Sequence, residues 1–408
     1  MSRRSKRIMG IARHGRLKRS NPYATALKIV AIAMAVAVVS TSSVAAIVVW
    51  SFSNKVDENA IDIMVGETST PARELESYEN GFNILLVGID NDEAQSAAYG
   101  ERDGTLNDVN ILVHVSADHT NAVVVSIPRD LIVPHPVCTD PETGNDFSAM
   151  AARPVNEAMS RGGLPCVVKT VSELTGLDIP YAGLVSFNDV VQMSDAVGGV
   201  PICLNAAIDD PAAGLDLPEG TSVVAGETAL AFLRSRKGVG DGSDLARISS
   251  QQIYLASLMR TVQGDGTLTR IPTLVNLANA AATNIKLSTS LADIDTMVSM
   301  ALALKDIDLE RLLFVQYPGT TGDADFPGKV MPLEAVADEM FAKLAADEPF
   351  ALPGSNPEPT ADAPAPVETS TPAPGDTASP IPEPTVEALD GLTGQTAQDD
   401  SCAEAFSG

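Results

Sequence analysis

The residues able to do chemistry in this chain are aspartates and arginines. Asp90 ends Gly88-Ile89-Asp90, directly after the apolar run Asn83 to Val87. A carboxylate there stands at the carboxyl edge of a sheet, where α/β folds place ligands. Taken alone, it also fits an ordinary turn aspartate. Asp108 precedes the next strand and can meet Asp90 at the same edge, or it simply caps a turn. Two hard oxygen ligands suit Mg²⁺ (or Mn²⁺), which keeps waters and takes substrate phosphates as further ligands.

The cations follow. Ser126-Ile127-Pro128-Arg129-Asp130 puts a guanidinium right after a buried strand. It is either a surface pair with Asp130 or a fixed donor aimed at a phosphate. Arg234-Ser235-Arg236 converge only if the helix unwinds there, since residues two apart on a helix diverge. Lys237-Gly238-Val239-Gly240 predicts that unwinding. Arg247 and Gln251 are four apart and share one helix face, with Ser243 or Asp244 as N-cap. Several arginines with two aspartates make the inventory for a pyrophosphate and its metal; the bland alternative is solvated charge. No phosphate-binding Gly-rich loop, Gly-x-Ser-x-Gly or HExxH is present, and His14, His114, His119 and His135 form no triad.

The positioning elements are legible as a mixed α/β pattern. Asn83–Val87 reads as a central strand, and Asn110–Val115 with Ala122–Ile127 as an antiparallel hairpin. Tyr181–Phe187, Val200–Leu204 and Arg311–Tyr317 are later strands. Helices are expected at Val167–Leu174, stopped by Gly176, and at Glu227–Leu233, Asp244–Val262 and Leu291–Leu304. The expected fold is a three-layer α/β/α sandwich with a mixed central sheet, over residues 81–350.

Charge and hydropathy divide the rest. Residues 1–28 hold nine Lys and Arg and no acid, inside a chain of net charge −26. The remainder is acidic enough to repel nucleic acid. Ile29 to Trp50 is 22 residues without a charge, enough to span a bilayer. It exceeds the h-region of a cleaved signal peptide, so an uncleaved anchor is expected. The basic flank places 1–28 in the cytoplasm and the rest outside. Residues 51–80 read as a stalk, 351–385 as a Pro-rich disordered linker, and 386–408 as a tail. Cys138, Cys166, Cys203 and Cys402 all lie beyond the anchor. Two disulfides are expected, Cys138–Cys166 and Cys203–Cys402 by preference among three pairings, against a reading as buried thiols. The second would pin the tail to the domain.

In this order, the motifs resemble the LytR–CpsA–Psr family of cell-wall ligases. The resemblance rests on Asn83–Asp90, Asn107-Asp108, Ser126–Asp130, Asn156 with Gly162-Gly163, Asp195–Val200, Gly226–Arg236, and Gly240–Ile248 with Gln251-Gln252. It implies transfer of a glycopolymer from undecaprenyl pyrophosphate to a peptidoglycan sugar hydroxyl. Asp90 and Asp108 would then hold the metal. Arg129, Arg234, Arg236, Arg247 and Gln251 would hold the pyrophosphate, and Asp244 would orient the arginines beside it. Asp90 and Asp108 are the candidate bases. Rival readings are a hydrolase that releases the lipid carrier, and a non-catalytic envelope regulator or scaffold. Two departures stand out: Leu106 and Ser250 occupy positions where the family often has arginine. Arg102 is the candidate substitute for the first.

Overall fold

The computed structural model describes Tyr23 and residues 60–63, 81–90, 106–141, 143–264, 285–292, 296–297, 299–300, 303–304, 307–353 and 386–406. The expected anchor, most of the stalk, Arg102 and residues 354–385 of the Pro-rich linker lie outside the described residues. Among the described residues, no helix is long and apolar enough to cross a membrane.

A seven-stranded mixed sheet forms the centre. Its strands are β1 (Phe82–Ile89), β2 (Asn107–Val115), β3 (Ala122–Ile127), β4 (Tyr181–Val185), β5 (Lys286–Leu287), β6 (Leu312–Gln316) and β7 (Thr393–Thr396). They lie in the order β5-β4-β1-β2-β3-β6-β7. β1, β2 and β3 run antiparallel in succession, whereas β1 with β4 and β3 with β6 are parallel pairs. The hairpin and the buried first strand are as expected. β7 was not anticipated, because Thr393-Gly394-Gln395-Thr396 carries no apolar run. Its pairing with β6 supplies what its composition lacks: a Cβ at Gly394 would stand 2.0 Å from the Phe314 carbonyl oxygen.

Side chains alternate across the sheet, so each face has its own core. Leu85, Val87, Leu112 and Val125 pack on one side against α1 (Met159–Thr175) and a later helix, Glu334–Ala345. Ile84, Val124 and Phe314 pack on the other against Ala256, Met300 and Ala303. This gives the three expected layers. α1 starts earlier than its sequence suggests and is bent at Gly162 and Gly163, and it ends at Gly176 with φ 69°. The kink brings Cys166 to Cys138, with Cα atoms 5.4 Å apart.

Val200–Leu204 is a strand, but it pairs with Gly220–Val224 in a separate two-stranded sheet. That sheet and a small hairpin, Ile208–Asp210 with Leu215–Leu217, build a third cluster with α3 (Gly226–Arg234). α2 (Phe187–Val197) precedes α3 and opens with a capping box between Ser186 and Asp189. Cys402 is joined to Cys203. Past that bond the chain stays on the domain: Ala403 bridges Leu204 and Ala405 bridges Val239.

Candidate functional site

The site lies where β1, β2 and β3 meet α4 (Asp244–Gly264). Its first feature is a break in the β1–β2 ladder. Gly88 pairs with Val109 and Ile89 with Asn107, so Asp108 has no partner on β1. An extra residue in one strand bends it and re-aims a side chain. Gly88 is needed beside the break, since a Cβ there would sit 2.9 Å from Val109 Cβ. Asp90 follows directly after β1 and is buried. Asp90 thus follows the end of β1, and Asp108 is the second residue of the antiparallel β2, inside the strand and not before it.

Asp108 faces Arg129. Nη1 of Arg129 donates to Asp108 Oδ1 at 2.5 Å, and its Nε lies 3.5 Å from both Asp130 Oδ2 and Asp244 Oδ1. The surface-pair reading of Arg129 with Asp130 is thereby a minor contact. Asp130 instead takes Lys329 Nζ at 2.6 Å, a cation that sequence reasoning missed because it sits 199 residues away. A tight turn after Pro128 and the Asn156 amide, which donates to the Arg129 carbonyl at 3.0 Å, fix the backbone here.

Asp244 is the hub for the cations. Its Oδ1 lies 2.7 Å from Arg247 Nη2, 3.2 Å from Arg236 Nη2 and 3.5 Å from Arg129 Nε. Arg247 also donates to the Asp108 carbonyl at 3.0 Å, which ties α4 to the start of β2. Burial pulls the Arg247 guanidinium down in pKa, and Arg236 and Arg129 add to that against Asp244 and Asp108. Burial also opposes the charge on Arg129, but Asp108, Asp244 and Asp130 together outweigh it. The three guanidinium groups thus share one oxygen of Asp244, with Asp108 and Asp130 beside Arg129.

Helix α3 ends where the sequence predicts. Ser235 is extended at φ −59°, ψ 132° and fully buried, and its hydroxyl donates to Asp210 Oδ2 at 2.8 Å. Burial raises the Asp210 pKa, but bonds from Ser235 and the amides of Ala213, Ala212 and Arg236 hold it below the usual carboxylate range. This buried carboxylate anchors the segment between the two arginines. Arg234 lies over the Phe187 ring at 4.4 Å. Arg234, Arg236 and Lys237 line one recess with Asp210, Ala212 and Ala213. Arg247, Gln251, Asp108 and Arg129 line a second, smaller one with Asn110 and Ser126. Arg247 and Gln251 thus share a face, and Gln251 Nε2 also donates to the Leu233 carbonyl at 3.0 Å. Ser243 caps α4, accepting the Ala246 amide at 3.1 Å.

Leu106 and Ser250 bring no charge. The Ser250 hydroxyl turns back to the Ala246 carbonyl at 3.3 Å. Among the described residues no group of three or more His, Cys, Asp or Glu gathers as a metal cage. Two hard carboxylates at one sheet edge still fit an ion completed by waters and phosphate oxygens.

Fold and site together define an α/β domain with a guanidinium cluster at a broken strand edge. The profile of the LytR_cpsA_psr family matches residues 47–343, and the chain belongs to that family. It is 28% identical over 311 residues to the cell wall biosynthesis protein LcpA of Corynebacterium glutamicum, covering 69% of this chain and 59% of LcpA. The chain thus spans under two-thirds of that relative's length. It is 27% identical over 301 residues to the polyisoprenyl-teichoic acid–peptidoglycan teichoic acid transferase TagT of Bacillus subtilis, covering 71% of this chain and 86% of TagT. A LytR-Csp2A-Psr enzyme from Actinomyces oris shares the fold with a TM-score of 0.51 at 19% identity, over 70% of this chain and 94% of that one.

Proposed function

We propose that this protein is a membrane-anchored phosphotransferase. It moves a glycopolymer from a polyprenyl (undecaprenyl) pyrophosphate carrier to a peptidoglycan sugar hydroxyl, forming a phosphodiester in cell wall biogenesis. The observation that carries this is the convergence of Arg129, Arg236 and Arg247 on Asp244, beside the Asp108–Arg129 pair. TagT is named for such a transfer and LcpA for cell wall biosynthesis.

In this reading the acceptor oxygen attacks the glycopolymer-bearing phosphorus, and that phosphorus parts from the bridging oxygen. The lipid monophosphate leaves with the electron pair. Arg129, Arg236, Arg247 and Arg234 neutralise the equatorial and departing oxygens, which is the main task in phosphoryl transfer. Gln251 adds a neutral donor, and Asp130 with Lys329 steadies Arg129. Asp90 and Asp108 would hold the Mg²⁺ (or Mn²⁺), which would supply further charge neutralisation. The hydroxyl proton passes to one of these two aspartates. The 22-residue segment 29–50 anchors the chain with its head in the cytoplasm and its catalytic domain outside. Partners are the lipid-linked donor, peptidoglycan and the membrane, and no nucleic acid.

The test uses the full chain in detergent with a lipid-pyrophosphate oligosaccharide, Mg²⁺ and peptidoglycan fragments, read by mass spectrometry. A phosphodiester-linked product is expected with wild type and not with Arg129→Ala or Asp108→Ala. Lipid phosphate released without that product would make the protein a hydrolase. Neither product nor donor binding would make it a scaffold.

A further inference from the structure

The recess of Arg234, Arg236 and Lys237 shares no lining residue with that of Asp108, Arg129, Arg247 and Gln251. It holds about 160 Å³. The two are linked through Asp244, whose Oδ1 touches Arg236 as well as Arg247 and Arg129. Exposure separates them. The side chains of Arg247 and Arg129 are 8% and 18% exposed, that of Arg236 is 36% exposed, and Lys237 and Ala212 are exposed outright. The second recess therefore opens to solvent, where a bulky polymer can reach it.

Its charge is uneven too. Three cations meet one carboxylate, Asp210, whose Oδ2 takes the Ser235 hydroxyl and whose Oδ1 takes the amides of Ala212 and Ala213. Arg234 lies over the Phe187 ring, and Arg236 pairs with Asp244. Lys237 has no ion pair among the described residues, whereas Lys329 is held by Asp130. The proposed function gives Lys237 no task. An unpaired cation beside two arginines, in a chain of net charge −26, draws an approaching anion to this spot.

We infer that this recess receives the acceptor, and that Lys237 binds a carboxylate of the peptidoglycan stem peptide. The inference deepens the proposed function and rests on it. A transfer between two substrates needs two places that meet at the reacting phosphorus. The donor's pyrophosphate draws on the guanidinium groups, and the exposed Lys237 is left for the acceptor. Peptidoglycan carries carboxylates on its stem peptides, so the acceptor already proposed supplies the anion. An ammonium on a flexible chain suits such a group, because it asks for no fixed fork geometry. Without it, the acidic surface would repel the polymer it has to modify.

The experiment sediments the full chain in detergent with peptidoglycan sacculi stripped of other polymers, in the presence of geranylgeranyl pyrophosphate and Mg²⁺. Lys237→Gln is expected to weaken sacculus binding roughly threefold, as the loss of an exposed ion pair does, and Lys237→Glu roughly tenfold. Melting temperatures should match that of wild type, since Lys237 is exposed. Sacculi whose carboxylates have been converted to amides should bind wild type and both variants alike. Calorimetry with geranylgeranyl pyrophosphate should give Lys237→Gln the Kd of wild type within twofold. In transfer assays the same variant should raise KM for the acceptor and spare kcat. Sacculus binding by Lys237→Glu within twofold of wild type would overturn the inference and leave the proposed function standing. So would an equal loss of geranylgeranyl pyrophosphate binding in Lys237→Gln, which would put the lysine on the donor. Wild type that binds neither sacculi nor geranylgeranyl pyrophosphate would overturn both.

Discussion

Asp244 holds three arginines through one oxygen, so its charge matters more than its size. Asp244→Asn keeps the shape and leaves Arg129, Arg236 and Arg247 facing one another. Breaking a buried pair by removing one partner costs about 3–5 kcal/mol. A clear fall in urea midpoint is therefore expected, part of it restored by Mg-pyrophosphate, which would replace the lost anion. A variant equally stable with and without ligand would contradict the hub role. His135 makes a pH prediction. It is buried, and burial, then the positive Arg161, lower its pKa to about 4. The unfolded chain then binds a proton more readily than the folded one, and stability falls as pH drops from 6.5 towards 4. The shift corresponds to about 3 kcal/mol. His135→Phe should flatten the dependence of the urea midpoint between pH 7 and pH 4.5.

The elements show which parts of the site could be read in advance. The ends of β1 and β3, the unwinding after Arg234 and the shared face of Arg247 and Gln251 follow from local pattern, because each depends on neighbours in sequence. Lys329 beside Asp130, Asp210 beneath Ser235 and Arg247 on the Asp108 carbonyl do not. Each joins segments that approach only through folding, and no periodicity signals such pairs. The short hairpins and β7 escaped for another reason: their pairing, not their composition, makes them strands. The broken ladder between β1 and β2 can be tested at this scale. Gly88→Ala would press on Val109, whose neighbour is Asp108. Donor binding should weaken several-fold while far-ultraviolet circular dichroism stays that of wild type.

For the whole molecule, the two disulfides and the charge division set the terms. Cys203 and Cys402 are 199 residues apart in sequence, and removing a bond that closes so long a loop costs about 2–5 kcal/mol. Cys203→Ala with Cys402→Ala should lower the melting temperature by several degrees, and reductant should lower that of wild type by more than that of the double variant, which keeps Cys138–Cys166. The basic head and uncharged segment predict that the full chain stays in the membrane fraction through an alkaline carbonate wash. Release of the intact chain by that wash would rule out the anchor.

The segment past Cys402 has a further bearing on how the protein comes into being. Gly240 donates to the Glu404 carbonyl at 2.9 Å and Phe406 to the Gly238 carbonyl at 3.0 Å, across the loop that leads from Arg236 to Asp244. During translation that loop emerges long before the residues that brace it. A nascent chain can pair β1, β2 and β3 and bring Arg129 to Asp108, whereas the loop from Arg236 to Asp244 gains its brace only when the residues around Cys402 arrive. The bracing of that loop thus depends on residues made well after it.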